Sequence, residues 1–91
     1  MITIPWLEKF HVITMRENRI GGVWVDKGVS LMITPYTNEH ENATLLTARR
    51  LVIELRHLGS GNVVFLHTTK KLADPEFFSE IEKLLEELQN G

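Results

Sequence analysis

Two short turn signals in the first third of the chain constrain its fold more than any other feature. Glu17-Asn18 and Asp26-Lys27-Gly28 interrupt three runs rich in β-branched residues. Residues 10–16 alternate, with Phe10, Val12 and Thr14 on one side and His11, Ile13 and Met15 on the other, which is the period of a strand. A second strand is predicted over 20–25 and a third over 29–34, where Val29, Leu31 and Ile33 share a face. Connections this short join antiparallel neighbours, so the three runs read as a meander. Asparagine suits the first turn because it tolerates positive φ, and Gly28 falls at the left-handed position of the second. Gly21-Gly22 inside a strand marks a bulge or a close backbone approach.

The remainder reads as a polar loop over 35–40, a helix over 41–57, a strand over 62–67 and a final helix. Leu45, Ala48, Val52 and Leu55 recur at helical spacing with Leu51 beside them, while Arg49, Arg50, Glu54 and Arg56 lie mostly off that stripe. Gly59 is placed to end the helix in a left-handed cap. The run Asn62 to His67 is almost wholly apolar, the pattern of a strand covered on both faces. Asp74 suits an N-cap, Pro75 the first helical position, and Glu76 the positive end of the helix dipole. Phe77, Phe78, Ile81, Leu84, Leu85 and Leu88 make the apolar stripe of that last helix. The expected order is β-β-β-α-β-α, an α/β fold bordering on α+β. It has a mixed four-stranded sheet whose fourth strand returns in parallel through a right-handed helical crossover.

At 91 residues the chain is expected to be a single domain spanning 1–91, with room for one modest core. Its 43% hydrophobic and 24% charged content argues against disorder. The absence of cysteine excludes disulfides, thiolate zinc sites and cysteine nucleophiles. Apolar runs are only a few residues long, too short for a membrane-spanning helix, and the N-terminus lacks a secretory pattern. A cytoplasmic protein without membrane contact is expected. The formal net charge of −2 is unlike that of a duplex-binding domain, whose affinity comes from neutralising phosphates.

Val12-Ile13-Thr14, Gly21-Gly22-Val23-Trp24 and Asn62-Val63-Val64-Phe65-Leu66 resemble the first, second and fourth strands of the first half of a ribonuclease H-like domain. Members with nuclease activity hold two metals on acidic residues. The corresponding positions here are Met15, Leu45 and Thr68, and a shift of register recovers only Glu17. The resemblance therefore implies a catalytically silent version of that domain.

The foremost candidate site is the loop His67-Thr68-Thr69-Lys70-Lys71, at the end of a strand and before a helix. Its imidazole, two hydroxyls and two ammonium groups suit a small anion. No glycine-rich phosphate cradle accompanies it. His40 with Glu39 and Glu41 forms a local cluster too small to complete a metal shell, and His57 reads as structural. Ser30, Ser60 and Ser79 lie outside any nucleophile-elbow pattern. No catalytic residue, metal or cofactor is expected.

Arg49, Arg50, Arg56, Lys70 and Lys71 form a possible basic patch, with Trp24 as a stacking surface. The final helix carries five glutamates against Lys83 alone. Its stripe, with Phe77, Phe78, Ile81, Leu85 and Leu88, is broad enough to face both its own sheet and a partner. The leading expectation is thus a non-enzymatic binding or assembly module acting through protein–protein contacts, as a homo-oligomer or with another protein. The alternatives are a nucleic-acid-associated accessory domain using Arg49, Arg50, Lys70 and Lys71, and an anion-binding domain at His67 to Lys71.

Overall fold

The computed structural model describes residues 4–36 and 43–90. It is a small α+β fold with five strands and one helix. The strands are β1 (His11–Arg16), β2 (Arg19–Trp24), β3 (Val29–Pro35), β4 (Leu51–His57) and β5 (Val63–Thr68), and the helix is α1 (Pro75–Asn90). Short 3-10 turns occupy Pro5–Lys9 and Val25–Lys27. The strands lie side by side in chain order, and each neighbouring pair is antiparallel.

The N-terminal meander forms as its turns predict. Gly28 takes φ 66, the left-handed value for which its loop needs a glycine. Gly22 marks a close approach: a Cβ there would sit 3.0 Å from the carbonyl oxygen of His11. The irregularity lies on the facing strand, where the register of β1 shifts between Val12 and Thr14.

The helix expected over 41–57 is corrected. Residues 41 and 42 lie outside the described residues, and Leu51–His57 is the strand β4, paired antiparallel with both β3 and β5. No helical crossover separates β3 from β4 among the described residues, so the sheet has five strands, the β5 pairing is antiparallel, and the order is β-β-β-β-β-α. The residues satisfy both periods, which explains the misreading. Leu45, Ala48, Val52 and Leu55 fit 3.6, but Leu51, Ile53 and Leu55 fit 2.0, and β-branched Val52 and Ile53 favour the strand. One helical turn does survive upstream. The Ala48 N–H donates to the Thr44 carbonyl at 2.9 Å, and Thr44 and Thr47 exchange side-chain to backbone hydrogen bonds. The left-handed glycine of the β4–β5 connection is Gly61 (φ 79), not Gly59.

One face of the sheet is the core. Val29, Leu31, Ile33, Leu51, Ile53 and Leu55 are buried there in one cluster with residues of α1, which docks on β4 and β5. Alternate residues of a strand point to opposite faces, so these six use every core-facing position of β3 and β4 between Val29 and Leu55 except Pro35. Helix α1 begins as predicted, with the Glu76 N–H donating to Asp74 Oδ1 at 2.9 Å. Phe77, Ile81, Leu84, Leu85 and Leu88 are buried on the sheet and Phe78 is half-buried. The stripe offered above as a partner surface is thus packed against the chain's own core.

Candidate binding face

Cross-strand partners in an antiparallel ladder share a face, so the register fixes which side chains lie on the side away from α1. Along one row His67 is paired to Val52 and Val52 to Thr34. The next row holds Phe65, Glu54, Met32 and Gly21, with Thr14 beyond. A third holds Val63, Arg56, Ser30, Val23 and His11. Arg16 and Arg19 pair at the far end of β1 and β2. Adjacent strands lie about 4.8 Å apart, so the five-stranded row spans about 19 Å.

Among the described residues no element packs across this face. Phe65 is 61% exposed and Tyr36 38%. Tyr36 follows β3 and is tied down by its N–H, which donates to the Arg50 carbonyl at 2.9 Å. Its ring lies 4.8 Å from that of His67, tilted by 49°. Phe65 is two residues from His67 along β5, about 7 Å on the same side.

The aromatic residues divide sharply between the two faces. Trp6, Phe10, Trp24, Phe77 and Phe78 interlock in one cluster, with neighbouring ring centroids 5.0–6.2 Å apart. That cluster uses both tryptophans and three of four phenylalanines. The remaining phenylalanine and the one tyrosine are Phe65 and Tyr36.

The loop singled out in the sequence is largely occupied with holding the chain together. His67 belongs to β5 and stands exposed on the open face. Thr68 is buried, and its hydroxyl accepts the Lys70 N–H at 3.0 Å. Thr69 is exposed. The Lys70 ammonium pairs with the Glu76 carboxylate, and that hydrogen bond, with the carboxylate's charge, raises the lysine's pKa above its ordinary value. Lys71 Nζ donates to the Ala48 carbonyl at 3.1 Å. The two ammonium groups an anion would need are thus each engaged within the protein.

The expected basic patch divides. Arg49 and Arg50 are exposed just before β4, next to Lys71 through Ala48. Arg56 lies at the opposite end of β4, on the open face. Trp24 is in the core cluster and offers no stacking surface outward, although it helps floor a shallow groove of about 440 Å³. Phe78, Leu85, Lys9, Lys27, Glu82 and Glu86 complete most of that groove.

His57 ends β4, where its Nδ1 accepts the Ser60 N–H at 3.1 Å and meets the Ser60 hydroxyl at 2.9 Å, closing the turn into β5. The cluster around His40 lies outside the described residues. Among the described residues no group of three or more histidine and carboxylate side chains could hold a metal, and no helix is long and apolar enough to cross a membrane.

Sequence reasoning missed Tyr36, Phe65 and Met32 as site residues. The signal was present in β5. Val64 and Leu66 share one face, and Phe65 and His67 the other, but the unbroken apolar run masked the alternation. Compared with known proteins, the chain matches no family model, no curated protein and no solved structure.

Proposed function

We propose that the chain is a non-enzymatic binding module whose contact surface is the uncovered face of the sheet. The observation that carries this reading is the placement of Phe65 and Tyr36. Every other aromatic side chain packs into the core, while these two stand on the face that no described element covers. A phenylalanine left 61% exposed in mid-strand forgoes a large part of the ~1.5–3 kcal/mol that full burial contributes. Large apolar side chains grouped on an otherwise polar surface are characteristic of interaction sites. Met32, Val23, Val52 and Val63 are half-buried around them and widen the apolar ground. The partner surface thus shifts from the α1 stripe to the opposite side of the molecule.

Site-specific photo-crosslinking tests the reading in cells producing the chain. A benzoyl-phenylalanine at Phe65 should give covalent adducts, whereas the same group at exposed Glu87 on α1 should not. Equal yields at the two positions, or none at either, would remove the face as a contact surface. Sedimentation equilibrium at micromolar concentration shows whether a second copy of the chain is the partner.

A further inference from the structure

The net value of −2 conceals an uneven distribution of charge: carboxylates crowd α1, where Lys9, Lys27, Lys70 and Lys83 offset part of them, and arginines stand on the opposite face. Helix α1 carries Glu76, Glu80, Glu82, Glu86 and Glu87 against Lys83. On the opposite side, the register places Arg16, Arg19 and Arg56 on the uncovered face, with His11 and His67, and Glu54 as the one carboxylate among the paired positions. Arg16, Arg19, Arg56, His11 and His67 are exposed, and Glu54 is half-buried. This face therefore combines outward cationic groups with two accessible aromatic rings and an imidazole held 4.8 Å from one of them.

We propose that the uncovered sheet face binds single-stranded nucleic acid, with bases stacking on Phe65 and on the Tyr36–His67 pair and phosphates meeting Arg16, Arg19 and Arg56. This rests on the reading of that face as the contact surface. Charge complementarity selects the occupant. A second copy meeting face to face would gather six arginines at one interface against two Glu54 carboxylates. A second copy presenting α1 would offer glutamates with its apolar stripe already buried. A single strand supplies distributed negative charge together with unstacked rings, and any base has a face on which an aromatic side chain can stack. A duplex keeps its bases stacked within and leaves Phe65 and Tyr36 nothing flat to meet.

Fluorescence anisotropy with a labelled oligouridine and an oligothymidine of about 15 nucleotides tests this. Saturable binding is expected at low salt. The affinity should fall with salt at a log–log slope of about −2, as three phosphate contacts on a single strand require. Phe65→Ala and Tyr36→Ala should each weaken binding about 5- to 150-fold while circular dichroism stays unchanged. Arg19→Gln should reduce the slope by about 0.7, and Glu87→Gln should leave binding as it was. No saturable binding, binding indifferent to both ring substitutions, or equal affinity for a duplex of the same length would overturn the proposal. If oligonucleotides fail but crosslinks at position 65 still exceed those at 87, the face keeps its role and a protein or a second copy is its partner. If both experiments fail, the reading of the face fails with them.

Discussion

The indole of Trp6 lies stacked on the ring of Phe77, centroid to centroid at 5.5 Å and 16° from parallel. Its Nε1 also donates to the Leu72 carbonyl at 2.9 Å across 66 residues of sequence. A residue near the start of the chain thus fastens the entry of the helix near its end. The same ring meets Phe10 edge-on at 5.9 Å and so reaches the segment leading into β1.

Trp6→Ala should therefore destabilise the protein by about 3–5 kcal/mol, the range for emptying a large buried aromatic site. Trp6→Phe keeps most of the packing but leaves the Leu72 carbonyl without its donor, and should cost less. Urea denaturation followed by circular dichroism measures both. A loss under 1 kcal/mol for the alanine variant would show that the N-terminal turn is not part of the cooperative unit.

The two adjacent glycines of β2 should behave differently. A methyl at Gly22 would meet backbone, the His11 oxygen at 3.0 Å, and backbone cannot rotate away. A methyl at Gly21 would meet the Thr14 Cβ at 3.5 Å and the flexible end of Met32 at 3.7 Å, which is ordinary contact. Gly22→Ala is expected to cost about 1–3 kcal/mol through forced displacement of β1. Gly21→Ala should be neutral or gain a few tenths, because alanine restricts the unfolded chain. Thermal melts of the two variants side by side give the comparison.

Removal of the α1 cap isolates one local interaction. Asp74→Ala deletes the acceptor for the Glu76 N–H and should cost about 0.5–2 kcal/mol. Asp74→Asn retains the acceptor and should recover most of the loss. Identical melting points for wild type and the alanine variant would mean that water replaces the cap without penalty.

Lys70 supplies a pH signature. Its pKa is raised above 10.5 by the hydrogen bond to Glu76 and by that carboxylate's charge. A group whose folded pKa exceeds its unfolded one contributes stability that is fully present below the unfolded pKa. That contribution is lost as pH rises through the folded pKa. It should thus be constant from neutral pH up to about 10.5, the ordinary lysine value, and fade only above it. Because the pair is solvent-exposed, the contribution is also small and weakened by salt. Carbon-13 titration of the lysine Cε resonances should show Lys70 titrating above its ordinary range in wild type and returning to it in Glu76→Gln.

Much of the architecture was legible because local chemistry and the final fold agree. Gly28 is left-handed where its loop needs it, Asp74 caps where an N-cap residue stands before Pro75, and the first three strands pair as their turns demand. Leu51–His57 was not legible in the same way, because its apolar positions serve two periods at once. What decides between them is non-local: Leu51, Ile53 and Leu55 find strand partners at Pro35, Ile33 and Leu31 on one side and at Thr68, Leu66 and Val64 on the other. The candidate site was least legible for the same reason. Phe65 looks like core in a continuous apolar run, and Tyr36 looks like loop, until the register puts both on a face that nothing described covers. Lys70 and Lys71 looked like ligands because their partners, Glu76 and the Ala48 carbonyl, are assembled only by the fold.

The chain-order arrangement of the sheet has a consequence for synthesis. Each strand pairs with the one just made, so β1 to β5 can assemble progressively as the polypeptide leaves the ribosome, the 15-residue connection between β3 and β4 being the longest to close. Helix α1 follows all of them. Until it has emerged, Ile33, Ile53 and Leu55 line a sheet whose core face lacks Phe77, Ile81, Leu84, Leu85 and Leu88. The nascent chain therefore passes through an interval in which the core face has only Trp6, Phe10, Leu45 and Ala48 for cover, and the arrival of Phe77 and Ile81 completes that face alone.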